Sequence, residues 1–81
     1  MYFVYVLYSE RLKKYYTGST QDMEMRLLQH NSGKNTFTRN GMPWILIYSV
    51  QLESRSVAMK LENQIKKRGA GRYLEDLGIE T

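Results

Sequence analysis

The sequence predicts an α+β fold: a three-stranded antiparallel or mixed sheet with flanking helices, in the order β-β-α-β-α-(α). Three observations carry this. Residues 2–8 and 44–50 are apolar runs rich in aromatic and β-branched side chains, the composition of strands. From Ser54 to Arg68, apolar residues recur at helical spacing. The 81 residues leave room for a single domain, taken as 1–81, with a small core.

The elements follow in order. In Tyr2-Phe-Val-Tyr-Val-Leu-Tyr8, Phe3, Tyr5 and Leu7 share one face of a strand, and Val4, Val6 and Tyr8 the other. Glu10 to Lys14 is a polar break. Tyr15 to Ser19 resumes extended character, so the two runs pair most simply as a hairpin. Thr20 or Gln21 leads into Asp22 and Glu24, acids suited to a helix N-terminus. Met23, Leu27 and His30 lie near one face of that helix, and Asn31-Ser-Gly33 ends it. Ser32 to Met42 reads as a polar loop. Pro43 then opens a third strand, Trp44 to Val50, apolar enough for a central position. Ser54 is the expected N-cap of a second helix in which Val57, Leu61 and Ile65 recur every four residues with Ala58 beside them. Gly69-Ala-Gly71 breaks it, Tyr73 to Leu77 forms a short last helix, and Gly78 to Thr81 are expected to fray.

Composition narrows the chemistry. With no cysteine, disulfide scaffolds, thiolate metal sites and thiol nucleophiles are excluded, and a reducing compartment, the cytoplasm, is expected. One histidine cannot build a typical zinc site, so any metal rests on oxygen ligands, which points to magnesium or manganese. The apolar start is too short to cross a membrane and lacks the pattern of a signal peptide. No phosphate loop, nucleophile elbow, dinucleotide fingerprint or paired-histidine zinc helix occurs. The net charge is +4. Lys60, Lys66, Lys67, Arg68 and Arg72 surround one acid, Glu62, a cluster that suits phosphate backbones or a solvated helix face.

Several side chains could carry chemistry. Tyr5 and Tyr16 sit one on each hairpin strand; strand tyrosines usually serve packing, and pattern alone leaves their relative facing open. Arg26 and His30, four residues apart, stack at the edge of the Met23/Leu27 stripe, where a guanidinium can grip a phosphate or simply stay solvated. Glu62, at the margin of the second helix's apolar stripe, is a metal ligand or an ion-pair partner. Lys34, Thr36, Thr38 and Arg39 put basic and hydroxyl groups on a loop, where they can meet phosphates.

Together these positions resemble the GIY-YIG nuclease domain. The GIY element corresponds to Phe3-Val4-Tyr5, with its glycine and isoleucine replaced, and the YIG element to Tyr16-Thr17-Gly18, with its isoleucine replaced. The following arginine-to-histidine spacing corresponds to Arg26-Leu-Leu-Gln-His30, and the later helical glutamate to Glu62. The likeness runs from Tyr2 to Arg72 and is greatest to small, stand-alone bacterial members.

The resemblance implies metal-dependent endonucleolytic hydrolysis of DNA. Glu62 would hold one Mg²⁺ or Mn²⁺, Arg26 would stabilise the transition state, Tyr5 would deprotonate the attacking water with its phenolate favoured by nearby cations, Tyr16 would position water or phosphate, and His30 would orient a tyrosine or relay a proton. Gly18 would permit close backbone approach. Lys34, Arg39, Lys66, Lys67, Arg68 and Arg72 would grip the strand. No helix is placed for groove readout and no dimer motif is seen, so low sequence specificity, nicking or structure-selective cutting, and a monomer aided by a targeting partner protein are expected. The rival readings are a catalytically silent nucleic-acid-binding module on the same fold, an RNA-binding sheet that stacks bases, and an interaction scaffold.

Overall fold

The computed structural model of the chain describes residues 1–79. Strands β1 (Tyr2–Ser9), β2 (Lys14–Thr20) and β3 (Trp44–Leu52) form one antiparallel sheet in the order β2-β1-β3. Helix α1 (Met23–His30) follows the hairpin, α2 (Arg55–Arg68) and α3 (Ala70–Asp76) follow β3, and a 3-10 turn at Arg39–Gly41 closes the loop before β3. The predicted α+β class and element order are those observed.

β1 takes the centre because it is the strand with bulky apolar groups to bury on both faces. Val4 and Val6 pack with Ala58, Ile65 and Leu74 on the α2/α3 side. Tyr5 and Leu7 pack with Trp44, Met23, Leu27 and Met42 on the α1 side. The expectation of a central third strand is therefore corrected. β3 is an edge, and Ile45 and Leu46 stay exposed on it.

Local signals explain the helix ends. The Asp22 side chain accepts a hydrogen bond from the Met25 amide at 3.1 Å and caps α1, while Thr20 Oγ1 accepts from the Asp22 amide. Ser54 caps α2 in the same way, as expected. The buried stripe of α2 is Ala58, Leu61 and Ile65, whereas Val57 points outward, because the face that meets the sheet is centred one residue further along. The break after α2 is Gly69 alone, at φ +92°, a conformation that costs other residues Cβ strain; α3 begins at Ala70 and runs through Gly71. Residues 78 and 79 are held rather than frayed. The Gly78 amide reaches Glu75 O, the Ile79 amide reaches Leu74 O, and Ile79 packs on the core. Residues 80 and 81, also expected to fray, lie outside the described residues. No helix among the described residues is long and apolar enough to cross a membrane.

Candidate active site

The site begins with strand register. Tyr5 pairs with Gly18, and Leu7 with Tyr16, so all four lie on the α1 face. The open question of facing is thus settled: Tyr5 and Tyr16 are diagonal neighbours, with ring centroids 6.4 Å apart. Gly18 makes room for this. A Cβ there would stand 2.6 Å from the Tyr5 hydroxyl oxygen. What Gly18 admits is therefore the phenol of Tyr5 itself.

Helix α1 brings the next two groups. Arg26 and His30, one turn apart, both reach the fully buried Tyr5. Arg26 Nε donates to Tyr5 Oη at 3.3 Å, and Tyr5 Oη lies 2.9 Å from His30 Nε2. The His30 ring also sits 4.9 Å from that of Tyr16. An arginine has only donors, so Tyr5 accepts from Arg26 and turns its own proton toward His30 Nε2. The imidazole then carries its proton on Nδ1, which faces Thr38 Oγ1 at 2.9 Å.

The electrostatics agree with that tautomer. Burial, and secondarily the Arg26 charge, push His30 below the usual histidine value, so the ring is held neutral and able to accept. Burial pushes the Tyr5 phenol up, and the hydrogen bond and charge of Arg26 only partly offset this. Nearby cations thus do not leave a resting phenolate. Desolvation outweighs them, and Tyr5 rests protonated.

Thr38 is the residue that sequence reasoning misplaced. Its place in a polar loop suggests a hydroxyl for phosphates, yet it is fully buried. Its carbonyl accepts from Trp44 Nε1 at 2.6 Å while its hydroxyl meets His30. The usable signal was the single histidine at a helix end, whose second nitrogen needs a polar partner from the next few residues.

Glu62 approaches from the other layer. Its side chain is 18% exposed and its Oε2 lies 2.7 Å from Lys66 Nζ. Lys66 lines a shallow depression of about 310 Å³ with Tyr15, Tyr16, Thr17 and Ala70, around the edge of β2. The Glu62 charge reaches Tyr5 and opposes its ionisation. Among the described residues no three histidine, aspartate or glutamate side chains gather as a metal cage. Magnesium is commonly held by one or two carboxylates, with waters and substrate phosphate completing the shell. A partly buried carboxylate beside a phenol-lined depression fits that mode.

The proposed strand-gripping cations are dispersed and exposed. Lys34 and Arg39 stand on the loop that carries Thr38, Lys66, Lys67 and Arg68 on the last turn of α2, and Arg72 on α3. Two of them are engaged. Lys66 pairs with Glu62, and Arg68 makes two hydrogen bonds to Asp76, at 2.9 and 3.0 Å.

The sheet and α1 thus gather two phenols, a guanidinium and an imidazole on one face, while Glu62 stands on α2 in the other layer. The chain belongs to the GIY-YIG family, a family of nucleases: the model of the GIY-YIG catalytic domain matches residues 1–73. It is similar to two UPF0213 proteins of Streptococcus pyogenes, SpyM50708 of serotype M5 and SpyM3_1077 of serotype M3. Each is 42% identical over 57 residues, which cover 69% of this chain and 62% of the relative. The match thus spans less than two thirds of these curated relatives. The solution NMR structure of the UPF0213 protein BH0048 from Bacillus halodurans shares the fold, with a TM-score of 0.58 and 32% identity over 95% of this chain and 85% of that one.

Proposed function

We propose that the protein is a divalent-metal-dependent endonuclease that hydrolyses DNA phosphodiester bonds with low sequence specificity, by nicking or structure-selective cutting. The observation that carries this is the Tyr5 hydroxyl, bridged between His30 Nε2 at 2.9 Å and Arg26 Nε at 3.3 Å. Packing alone does not require a fully buried phenol to face one neutral base and one cation.

Tyr5 accepts the proton of the attacking water as it passes its own to His30 Nε2, and Thr38 steadies the opposite ring nitrogen. Arg26 covers Tyr5 at rest and also reaches outward to Gln29 Oε1 at 3.3 Å. A phosphate arriving at the surface draws this guanidinium away and uncovers the phenol. Arg26 then stabilises charge on the phosphoryl oxygens in the transition state. Tyr16, on the rim of the depression, positions water or phosphate. Glu62 would hold Mg²⁺ or Mn²⁺, which when bound neutralises charge on the phosphate and leaving oxygen.

The test is nicking of supercoiled and branched DNA with Mg²⁺ or Mn²⁺, with and without chelator. Cutting is expected only with metal, and Tyr5→Phe and Glu62→Gln should abolish it while circular dichroism stays native. A wild-type protein that binds these DNAs but cuts none of them under any metal would establish a silent binding module instead.

A further inference from the structure

The loop between α1 and β3 displays a feature that the hydrolytic site leaves unused. Phe37 is 90% exposed, more than any other large apolar side chain among the described residues. It touches no core, so the ring adds nothing to packing. Its backbone is nevertheless held. The Phe37 amide donates to Asn35 Oδ1 at 2.9 Å, and the Arg39 amide donates to Asn35 O at 3.0 Å. The next residue, Thr38, is anchored on both His30 and Trp44. An exposed aromatic side chain therefore stands on an anchored stretch of backbone, one residue from a group that touches the His30 imidazole.

Its surroundings indicate what it meets. Residues 31–42 contain no acid. Exposed Lys34 and Arg39 flank the ring in sequence. Cations for phosphates and an aromatic face for a base are the two components of single-strand recognition. In a closed duplex the base faces are occupied by their stacked neighbours, so the ring finds a partner only where a base is unpaired or can be unstacked.

We propose that Phe37 is a base-stacking residue that seats an unpaired nucleobase beside the scissile phosphate, with Lys34 and Arg39 on the adjoining phosphates. This selects DNA with single-stranded character over closed duplex. It rests on the nuclease reading for the location of the cut, and it is testable without cutting.

The experiment uses the full chain in chelator, with a single-stranded oligonucleotide carrying one 2-aminopurine, and the same sequence in a closed duplex and in a gapped duplex. Phe37→Ala, Phe37→Leu and Phe37→Trp are compared by anisotropy and 2-aminopurine fluorescence, with thermal midpoints confirming the fold. Phe37→Ala is expected to weaken single-strand and gapped binding roughly 5- to 100-fold and to change duplex binding much less. Phe37→Trp should retain affinity, and Phe37→Leu should resemble Ala. Equal single-strand affinity for wild type and Phe37→Ala overturns the proposal, as does full rescue by Leu, which would mark a generic apolar contact such as a protein partner makes. Failure of the wild type to bind any of the three DNAs also overturns it. Cutting is measured separately. Stacking without hydrolysis in any metal refutes the enzyme and leaves Phe37 its role, and hydrolysis indifferent to Phe37 does the reverse.

Discussion

Gly18 stands directly across the β1–β2 ladder from Tyr5, and a methyl group on it would come 2.6 Å from the Tyr5 hydroxyl oxygen and 2.8 Å from the adjoining ring carbon. The phenol thus lies against the β2 backbone, and the absence of a side chain at residue 18 sets where its oxygen ends up. Gly18→Ala forces the ring or the strand to move. The expected cost is about 1–3 kcal/mol of stability, with cutting reduced on the order of 100-fold because the hydroxyl leaves its two partners. Urea denaturation and nicking at a temperature where both proteins stay folded would check this, and an alanine variant matching wild type in both would refute it.

In the proposed mechanism Thr38 acts through His30 rather than on the substrate. Thr38→Val keeps the shape but leaves the His30 Nδ1 proton without its buried acceptor, at a cost of about 1–3 kcal/mol. Cutting should fall on the order of 10- to 100-fold, the scale seen when groups that orient a histidine are removed from metal sites. Thr38→Ser should restore it. A serine variant as poor as valine would mean that Thr38 serves only the fold.

The Lys66 ammonium holds the carboxylate that an ion would need. The pair is only partly buried, and such a contact is weak. Lys66→Met should therefore tighten Mn²⁺ binding by the DNA-free protein by about two- to five-fold, read by titration calorimetry or the Mn²⁺ resonance signal. Glu62→Gln should abolish that binding. Mn²⁺ binding that survives Glu62→Gln would place the ion elsewhere.

The depressed His30 value sets a pH response with a definite sign. Below the ordinary 6.5 of a histidine, the unfolded imidazole binds a proton that the folded one refuses. Stability from this group is therefore complete above about pH 6.5 and is lost as pH falls through the folded value. The proposed proton transfer to His30 needs the same neutral ring, so the acid limb of cutting should lie below pH 6.5. Urea midpoints between pH 5 and 8 should show this slope, and His30→Gln should flatten it.

Much of this was legible in the sequence because it is local. Asp22 and Ser54 announce their helices through capping chemistry, and Arg26 and His30 share a face by spacing alone. The rest depends on contacts between distant segments. A hairpin break can shift by one residue and turn Tyr16 to the opposite face, so only the paired strands decide it. The run at β3 has the composition of a central strand, but the centre went to β1, which buries Val4 and Tyr5 on opposite sides. Thr38 looked like any hydroxyl in a polar loop, because its burial is imposed by Trp44 and His30.

Tyr5 lies on β1 between Val4 and Val6, in the strand that is hydrogen-bonded on both sides and buried under both helical layers. Fraying of a terminus leaves that strand paired on both sides, whereas opening of the loop at Thr38 would remove the partner of His30 Nδ1. On the proposed mechanism, terminal fraying should leave cutting intact, and the slowest-exchanging amides should flank Tyr5.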